Sequence, residues 1–233
     1  MRPQAPVAVV LLSGGMDSCV CAAIAARSHR LALLHSSYGQ LTEERERRAF
    51  EEIADHFQAP HRLRIEQRYM RTIGGSALTD RSLAVPNSDL PAAQQANIPL
   101  TYVPFRNAHF LSAAVSWAEV LGAEQIFVGA VEQDSSGYPD CRPAYYQAFS
   151  EVIDRGTRPE TTIEVSTPLI GCSKAEIVLR GVALGAPLHL TWSCYRAEDV
   201  ACGMCDSCVL RLRAFERAGA PDSIPYAARI SEA

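Results

Sequence analysis

The sequence predicts an α/β protein: a doubly wound, mainly parallel sheet followed by a small C-terminal helical module built around cysteines. Three observations predict it. Short apolar runs alternate with amphipathic stretches through the first two-thirds of the 233 residues, as in successive βαβ units. The first apolar run, Val7-Ala-Val-Val-Leu-Leu12, passes through Ser13-Gly14-Gly15-Met16-Asp17-Ser18 into a helix-compatible stretch. Near the C-terminus, Cys194, Cys202, Cys205 and Cys208 are spaced Cys-x7-Cys-x2-Cys-x2-Cys. The expected division is 1–190 for the sheet domain and 191–233 for the cysteine module.

Strands are expected at 7–12, 31–35, 61–65, 125–130 and 162–165, each a short apolar run bounded by turn residues. Helices are expected at 18–27, at the highly charged 42–57, and at 107–121, which ends at Gly122. Two more are expected at 144–154 and 173–184, the last with Ser173 as its N-cap. Between Gly74 and Pro99 the pattern dissolves into Gly, Ser, Pro, Asn and Ala, a long loop that is the candidate lid. In open parallel sheets ligands bind beyond the carboxyl ends of the strands. That rule gathers residues 13–18, 36–40, 103–107 and 131–142 around one cleft.

Composition narrows the function. A hydrophobic fraction of 48% suits a full core, and a net charge of −4 argues against a general nucleic-acid binder. No apolar run approaches the roughly 20 residues of a membrane span. The apolar stretch after Arg2 is broken by Pro3 and Pro6 and leads straight into the glycine loop, so no signal peptide is expected and the location is expected to be cytoplasmic. Of the 22 basic residues, 21 are arginine and one, Lys174, is lysine. An ammonium is not interchangeable with a guanidinium at a tight site, which makes the lone lysine a functional candidate. At the start of a helix it opposes the helix dipole, so it calls for an anionic partner.

The glycine loop is the strongest chemical signal. A buried strand that turns through glycines into a helix presents backbone N–H groups, hydroxyls and the positive end of the dipole, an anion site suited to phosphate. It lacks the Gly-Lys-Ser/Thr ending of the P-loop NTPases. The four cysteines point to metal rather than disulfides. Four thiolates close a tetrahedron about Zn²⁺ and equally hold an iron–sulfur cluster; with no open position, a structural zinc, one per chain, is the natural expectation.

The loop resembles the pyrophosphate loop of ATP pyrophosphatases, the PP-loop enzymes with an adenine nucleotide alpha hydrolase-like fold. Together with the cysteine cluster it makes the chain similar to the QueC family of 7-cyano-7-deazaguanine synthases. The likeness runs from about Val7 to about Arg213 and includes Tyr38-Gly-Gln40, Ser76-Ala-Leu-Thr79 and Val103-Pro-Phe-Arg-Asn107. Its most specific strings are Ser136-Gly-Tyr-Pro-Asp-Cys-Arg-Pro143 and Cys202-Gly-x-Cys-Asp-x-Cys-x-Leu-Arg211. The resemblance implies an ATP-dependent C–N ligase of queuosine biosynthesis, converting 7-carboxy-7-deazaguanine and ammonia to the nitrile through an adenylated acid and an amide. It further implies a homodimer, with Mg²⁺ accompanying ATP and no nucleic-acid or membrane partner.

Residue roles follow from the same resemblance. Leu12, Ser13, Gly14, Gly15, Met16, Asp17 and Ser18 would hold ATP, with Asp17 at Mg²⁺ or as a helix cap, and Lys174 would neutralise charge on the transferring phosphate. Arg106 and Arg142 are candidates for the substrate carboxylate or the phosphates. Asp140 or Asp134 would accept from the guanine-like N–H edge, Tyr138 would stack on the heterocycle, and Tyr38, Gln40 and Asn107 complete the substrate set. The catalytic set is Asp17, Lys174 and Arg106. Cys141 and Cys172 lie near the expected cleft and suggest a thioester route, although small buried thiols are the commoner case.

Two departures stand out. Phe105 occupies a position where the family is expected to have glycine, and Leu41-Thr42 follows Gln40 where a basic residue and histidine are expected. They leave open a related amide ligase with another end-point or amine. A tRNA-modifying pyrophosphatase is the reading from a different class, and the acidic charge weighs against it.

Overall fold

The computed structural model describes residues 5–86, 98–132 and 137–227. Five strands, β1 (Val7–Leu11), β2 (Arg30–Ser37), β3 (His61–Glu66), β4 (Gln125–Val128) and β5 (Glu164–Ser166), form one parallel sheet in the order β3-β2-β1-β4-β5. Among the described residues seven α-helices connect and flank them: α1 (Met16–Ala25), α2 (Glu43–His56), α3 (Tyr69–Ile73), α4 (Arg106–Leu121), α5 (Pro143–Gly156), α6 (Lys174–Ala183) and α7 (Asp206–Arg217).

The pleat of β1 explains the two layers. Ala8, Val10 and Leu12 face one side and pack with α1, α2, α6 and the α7 residues Ala214 and Phe215. Val9, with Ala32, Leu34 and Ile126, faces the other side against Leu111, Ala114 and Ala118 of α4 and Tyr146 and Ile153 of α5. A sheet covered on both faces needs near-continuous apolar strands, which is why β1 reads as an unbroken run. Edge strand β3 alternates instead, and its outward Arg62 and Arg64 pair with Asp55 and Glu51 of α2.

After β1 the chain builds β2 and β3 on one side, then crosses to β4 and β5 on the other. The strand order therefore reverses between β1 and β4, and the crevice at their carboxyl ends is the switch point where doubly wound folds bind ligands.

The expected elements are all present, with shifted ends. β2 runs on through Ser36 and Ser37, which pair with Ile65 and Glu66; ladder pairing rather than apolarity sets its end. Helix α1 begins at Met16, immediately after Gly15, so Asp17 and Ser18 lie in its first turn. Ser173 caps α6 through a capping box with Glu176. The short α3 was not anticipated, and Pro143 opens α5 at the first helical position. The start of the expected lid is wall rather than flap: Ser76, Ala77, Leu78 and Thr79 are buried, while 87–97 lie outside the described residues. No helix among the described residues is long and apolar enough to cross a membrane.

Candidate functional site

Gly14 and Gly15 shape the loop for different reasons. Gly14 has φ +91°, and a Cβ there would stand 2.6 Å from the Glu46 carbonyl oxygen, so α2 presses against the loop from below. Gly15 is the N-cap of α1 and leaves the first-turn N–H groups without intrahelical partners. The hydroxyls of Ser13 and Ser18 lie 3.0 Å apart; Ser13 Oγ accepts from Gly15 N at 3.1 Å, and Ser18 Oγ accepts from Ser13 N at 3.2 Å. The loop is tied down from both neighbours. Trp192 N donates to the Gly14 carbonyl at 2.9 Å, and His35, 1% exposed, bonds through Nδ1 to the Leu12 carbonyl at 3.1 Å. At the end of β4, a Cβ on Gly129 would stand 2.8 Å from Ser18 N, so this strand end also needs glycine to lie against α1.

The anionic partner that Lys174 called for is Asp17. Lys174 Nζ donates to Asp17 Oδ2 at 2.5 Å across 157 residues of sequence, bringing the start of α6 to the start of α1. Asp17 Oδ1 is buried and has no hydrogen-bond partner among the described residues.

The cleft that contains this pair has a volume of about 320 Å³, within the range of small-molecule sites. Leu12, Ser13, Gly15, Met16, Asp17, Ser18 and Lys174 line it, together with Tyr38, Gln40, Arg106, Asn107 and Tyr138 and with Glu46, Phe110, Tyr146 and Tyr195. Arg106 donates to Tyr38 Oη at 2.8 Å and lies over the Tyr38 and Phe110 rings, at 5.2 and 5.8 Å. Among the described residues its Nε is buried without a partner, as is the hydroxyl of Tyr146, which is 4% exposed. Burial pushes the Tyr38 hydroxyl up to about 12, so it stays protonated. Tyr138 bonds Thr101 Oγ1 through its hydroxyl at 2.8 Å. Two orphaned polar groups beside aromatic walls fit a flat heterocycle with polar edges.

Two expected substrate residues, Asp140 and Arg142, do not line this cleft. Asp140 is 3% exposed, and its carboxylate accepts from Asn107 N at 3.0 Å, which occupies it with the N-terminus of α4. Arg142 is exposed outside the cleft. Asp134 lies outside the described residues. Cys141 lines the cleft and accepts from Asn107 Nδ2 at 3.4 Å, whereas Cys172 is buried in the core under α6.

The four clustered cysteines converge. Their Sγ atoms all lie within 4.8 Å of one another, and Cys202 and Cys208 are 3.9 Å apart. A tetrahedron with metal–sulfur bonds of about 2.3 Å has edges of about 3.8 Å, so the cluster is compatible with a zinc site. Backbone N–H groups of Arg196 and Cys202 point at Cys194 Sγ, and those of Met204 and Cys205 at Cys202 Sγ, at 3.3–3.4 Å, which favours thiolates.

A family model described as queuosine biosynthesis protein QueC matches residues 7–219. The chain belongs to the QueC family. Among curated relatives, a 7-cyano-7-deazaguanine synthase of Acidobacterium capsulatum is 61% identical over 98% of this chain and all of its own length. Synthases of the same name from Chlorobium phaeobacteroides and Koribacter versatilis are 59% and 58% identical, over 95% and 96% of this chain and 97% and 94% of their own. Among solved structures, an NH3-dependent NAD synthetase of Campylobacter jejuni superposes with TM-score 0.45 at 13% identity, covering 81% of this chain and 68% of its own.

Within this QueC-family chain, both sequence departures have a local explanation. Phe105 has φ +57°, a left-handed conformation that suits glycine, and its exposed ring leans on His109 and Tyr145. Thr42 donates to Glu46 Oε1 at 3.0 Å, and Leu41 packs against the cysteine module. Four residues escaped sequence reading: His35, Glu46, Trp192 and Arg211. Arg211 is 2% exposed and holds Asp222 through two nitrogens, at 2.8 and 3.0 Å, while also bonding Thr191 Oγ1 and the Leu188 carbonyl. Its place in the Cys202–Arg211 string was the signal available; the others carry none beyond a residue type that is often structural.

Proposed function

We propose that this chain is a 7-cyano-7-deazaguanine synthase: it adenylates 7-carboxy-7-deazaguanine with ATP, substitutes ammonia, and adenylates the resulting amide to release the nitrile. The observation that carries this reading is the Lys174–Asp17 pair at the first turn of the pyrophosphate loop, in one cleft with an arginine-and-aromatic pocket. Family membership and full-length relatives of that name support it.

The chemistry suits a single nucleotide site. In the first step a substrate carboxylate oxygen attacks the α-phosphorus, pyrophosphate leaves, and ammonia then displaces AMP with loss of a proton. In the second the amide oxygen attacks the α-phosphorus of another ATP, pyrophosphate leaves, and loss of AMP and both N–H protons leaves the C≡N bond. Each original carboxylate oxygen departs on AMP. The loop N–H groups and the Ser13 and Ser18 hydroxyls hold the pyrophosphate portion, the hydroxyls exchanging their mutual bond for phosphate oxygens. Lys174 counters charge building on the transferring phosphate, and Asp17 keeps the ammonium aimed there. Asp17 Oδ1, without a partner among the described residues, fits the Mg²⁺ that accompanies ATP. Arg106, with Nε unpartnered, takes the acid.

The cysteine module, which we read as residues 191–233, holds one structural zinc, so metal analysis of the purified chain should return one zinc per chain and no iron. The deciding experiment incubates the protein with ATP, Mg²⁺, ammonia and 7-carboxy-7-deazaguanine and weighs the product. A nitrile with two AMP per turnover supports the reading. An amide end-point, or pyrophosphate release that needs tRNA and not the acid, overturns it.

A further inference from the structure

Glu46 is a carboxylate at the cleft wall that the scheme above does not use. No basic side chain lies within ion-pair distance of it among the described residues. Its two oxygens each accept one hydrogen bond, Oε2 from Gln40 Nε2 and Oε1 from Thr42 Oγ1, both at 3.0 Å. A carboxylate oxygen has two acceptor directions, so each keeps one. Gln40 is 6% exposed and cannot flip, because its Oε1 accepts from Tyr38 N at 2.8 Å. Its Nε2 therefore faces Glu46 and retains a second N–H.

Gln40 Nε2, hydrogen-bonded to Glu46 Oε2, and Glu46 Oε1 beyond it on the same carboxylate then offer, in order of connection, a donor, an acceptor and an acceptor. The Watson–Crick edge of a guanine ring offers the complement: carbonyl acceptor, N1–H donor, 2-amino donor. We propose that Glu46, oriented by Gln40 and Thr42, reads that edge of the 7-deazaguanine acid and sets the enzyme's choice of heterocycle. This inference rests on the proposed function. Of the two sequence expectations for the role, Asp140 is occupied with α4 and Asp134 lies outside the described residues. An ammonium ion would satisfy the two acceptors and leave the Gln40 N–H facing a cation. Burial pushes the Glu46 carboxyl up to about 7 despite the two bonds and the Arg106 charge that favour the anion, so N–H donors from a bound base would restore its ionised form.

The test compares 7-carboxy-7-deazaguanine with 7-carboxy-7-deazahypoxanthine, which lacks the 2-amino group, as substrates of the full-length zinc-loaded protein. Wild type should prefer the guanine acid in kcat/KM by about 100-fold, and Glu46→Gln should lose most of that preference through KM, with KM for ATP unchanged. Glu46→Asp, which withdraws the carboxylate but keeps it, should fall between the two and serves if Glu46→Gln does not fold. The inference is overturned if Glu46→Gln or Glu46→Asp retains the full preference, or if Asp134→Asn alone removes it. Wild-type turnover of both acids at equal rates also overturns it while leaving the synthase reading intact; turnover of neither acid removes that reading as well.

Discussion

Lys174 Nζ and Asp17 Oδ2 stand 2.5 Å apart, joining the first residue of α6 to the first turn of α1 beside the Ser13–Ser18 loop. Both side chains are only partly exposed, 17% and 27%, so the pair is shielded enough to be held and open enough to meet a phosphate. Lys174→Arg and Asp17→Ala should each lower pyrophosphate release by about 100-fold or more, because the guanidinium fork does not reproduce a point ammonium here. Zinc content should not change in either variant. Full activity in Lys174→Arg would make its solitary status an accident of composition.

Arg211 links the cysteine module to the glycine loop. It bonds Thr191, whose neighbour Trp192 donates to Gly14. Removing one partner of a buried ion pair leaves a buried charge, so Arg211→Ala should cost about 3–5 kcal/mol by urea unfolding. KM for ATP should rise in the same variant, because the 188–192 segment that steadies Gly14 loses its anchor. Unaltered ATP kinetics at reduced stability would assign Arg211 a structural role only.

His35 makes the fold sensitive to acid. Burial lowers its pKa to about 4 from an ordinary value of 6.5, with Arg64 and Arg47 adding to the effect against the Leu12 bond. The folded protein keeps the ring neutral while the unfolded chain takes up a proton below about 6.5. Stability is therefore lost as pH falls from 6.5 through 4, by on the order of 3 kcal/mol from this group. The loss should appear in the difference between wild type and His35→Leu, measured by urea midpoints across that range, since the variant lacks it.

Phe105 carries the cost of a left-handed backbone at the entry to α4. Phe105→Gly should be more stable than Phe105→Ala by about 1 kcal/mol, because both lose the ring contacts and only alanine keeps the Cβ penalty. Equal thermal midpoints for the two would mean the backbone relaxes out of that conformation.

What could be read along the chain was whatever depends on near neighbours. Apolar runs, the strand–glycine–helix turn, the Ser173 cap and the cysteine spacing are all settled within a few residues, where backbone geometry leaves little choice. The sequence also marked Asp17 and Lys174 separately, one by its loop and one by its rarity. Their pairing, 157 residues apart, was decided by the sheet order that lays α6 beside α1. The same holds for Asp140, drawn from the expected substrate edge to the N-terminus of α4, and for Glu46, whose helix reads in sequence as a charged surface. Hydrogen-bond partners across a sheet are fixed only when the strands close, because burial removes the water that would otherwise serve every polar group equally.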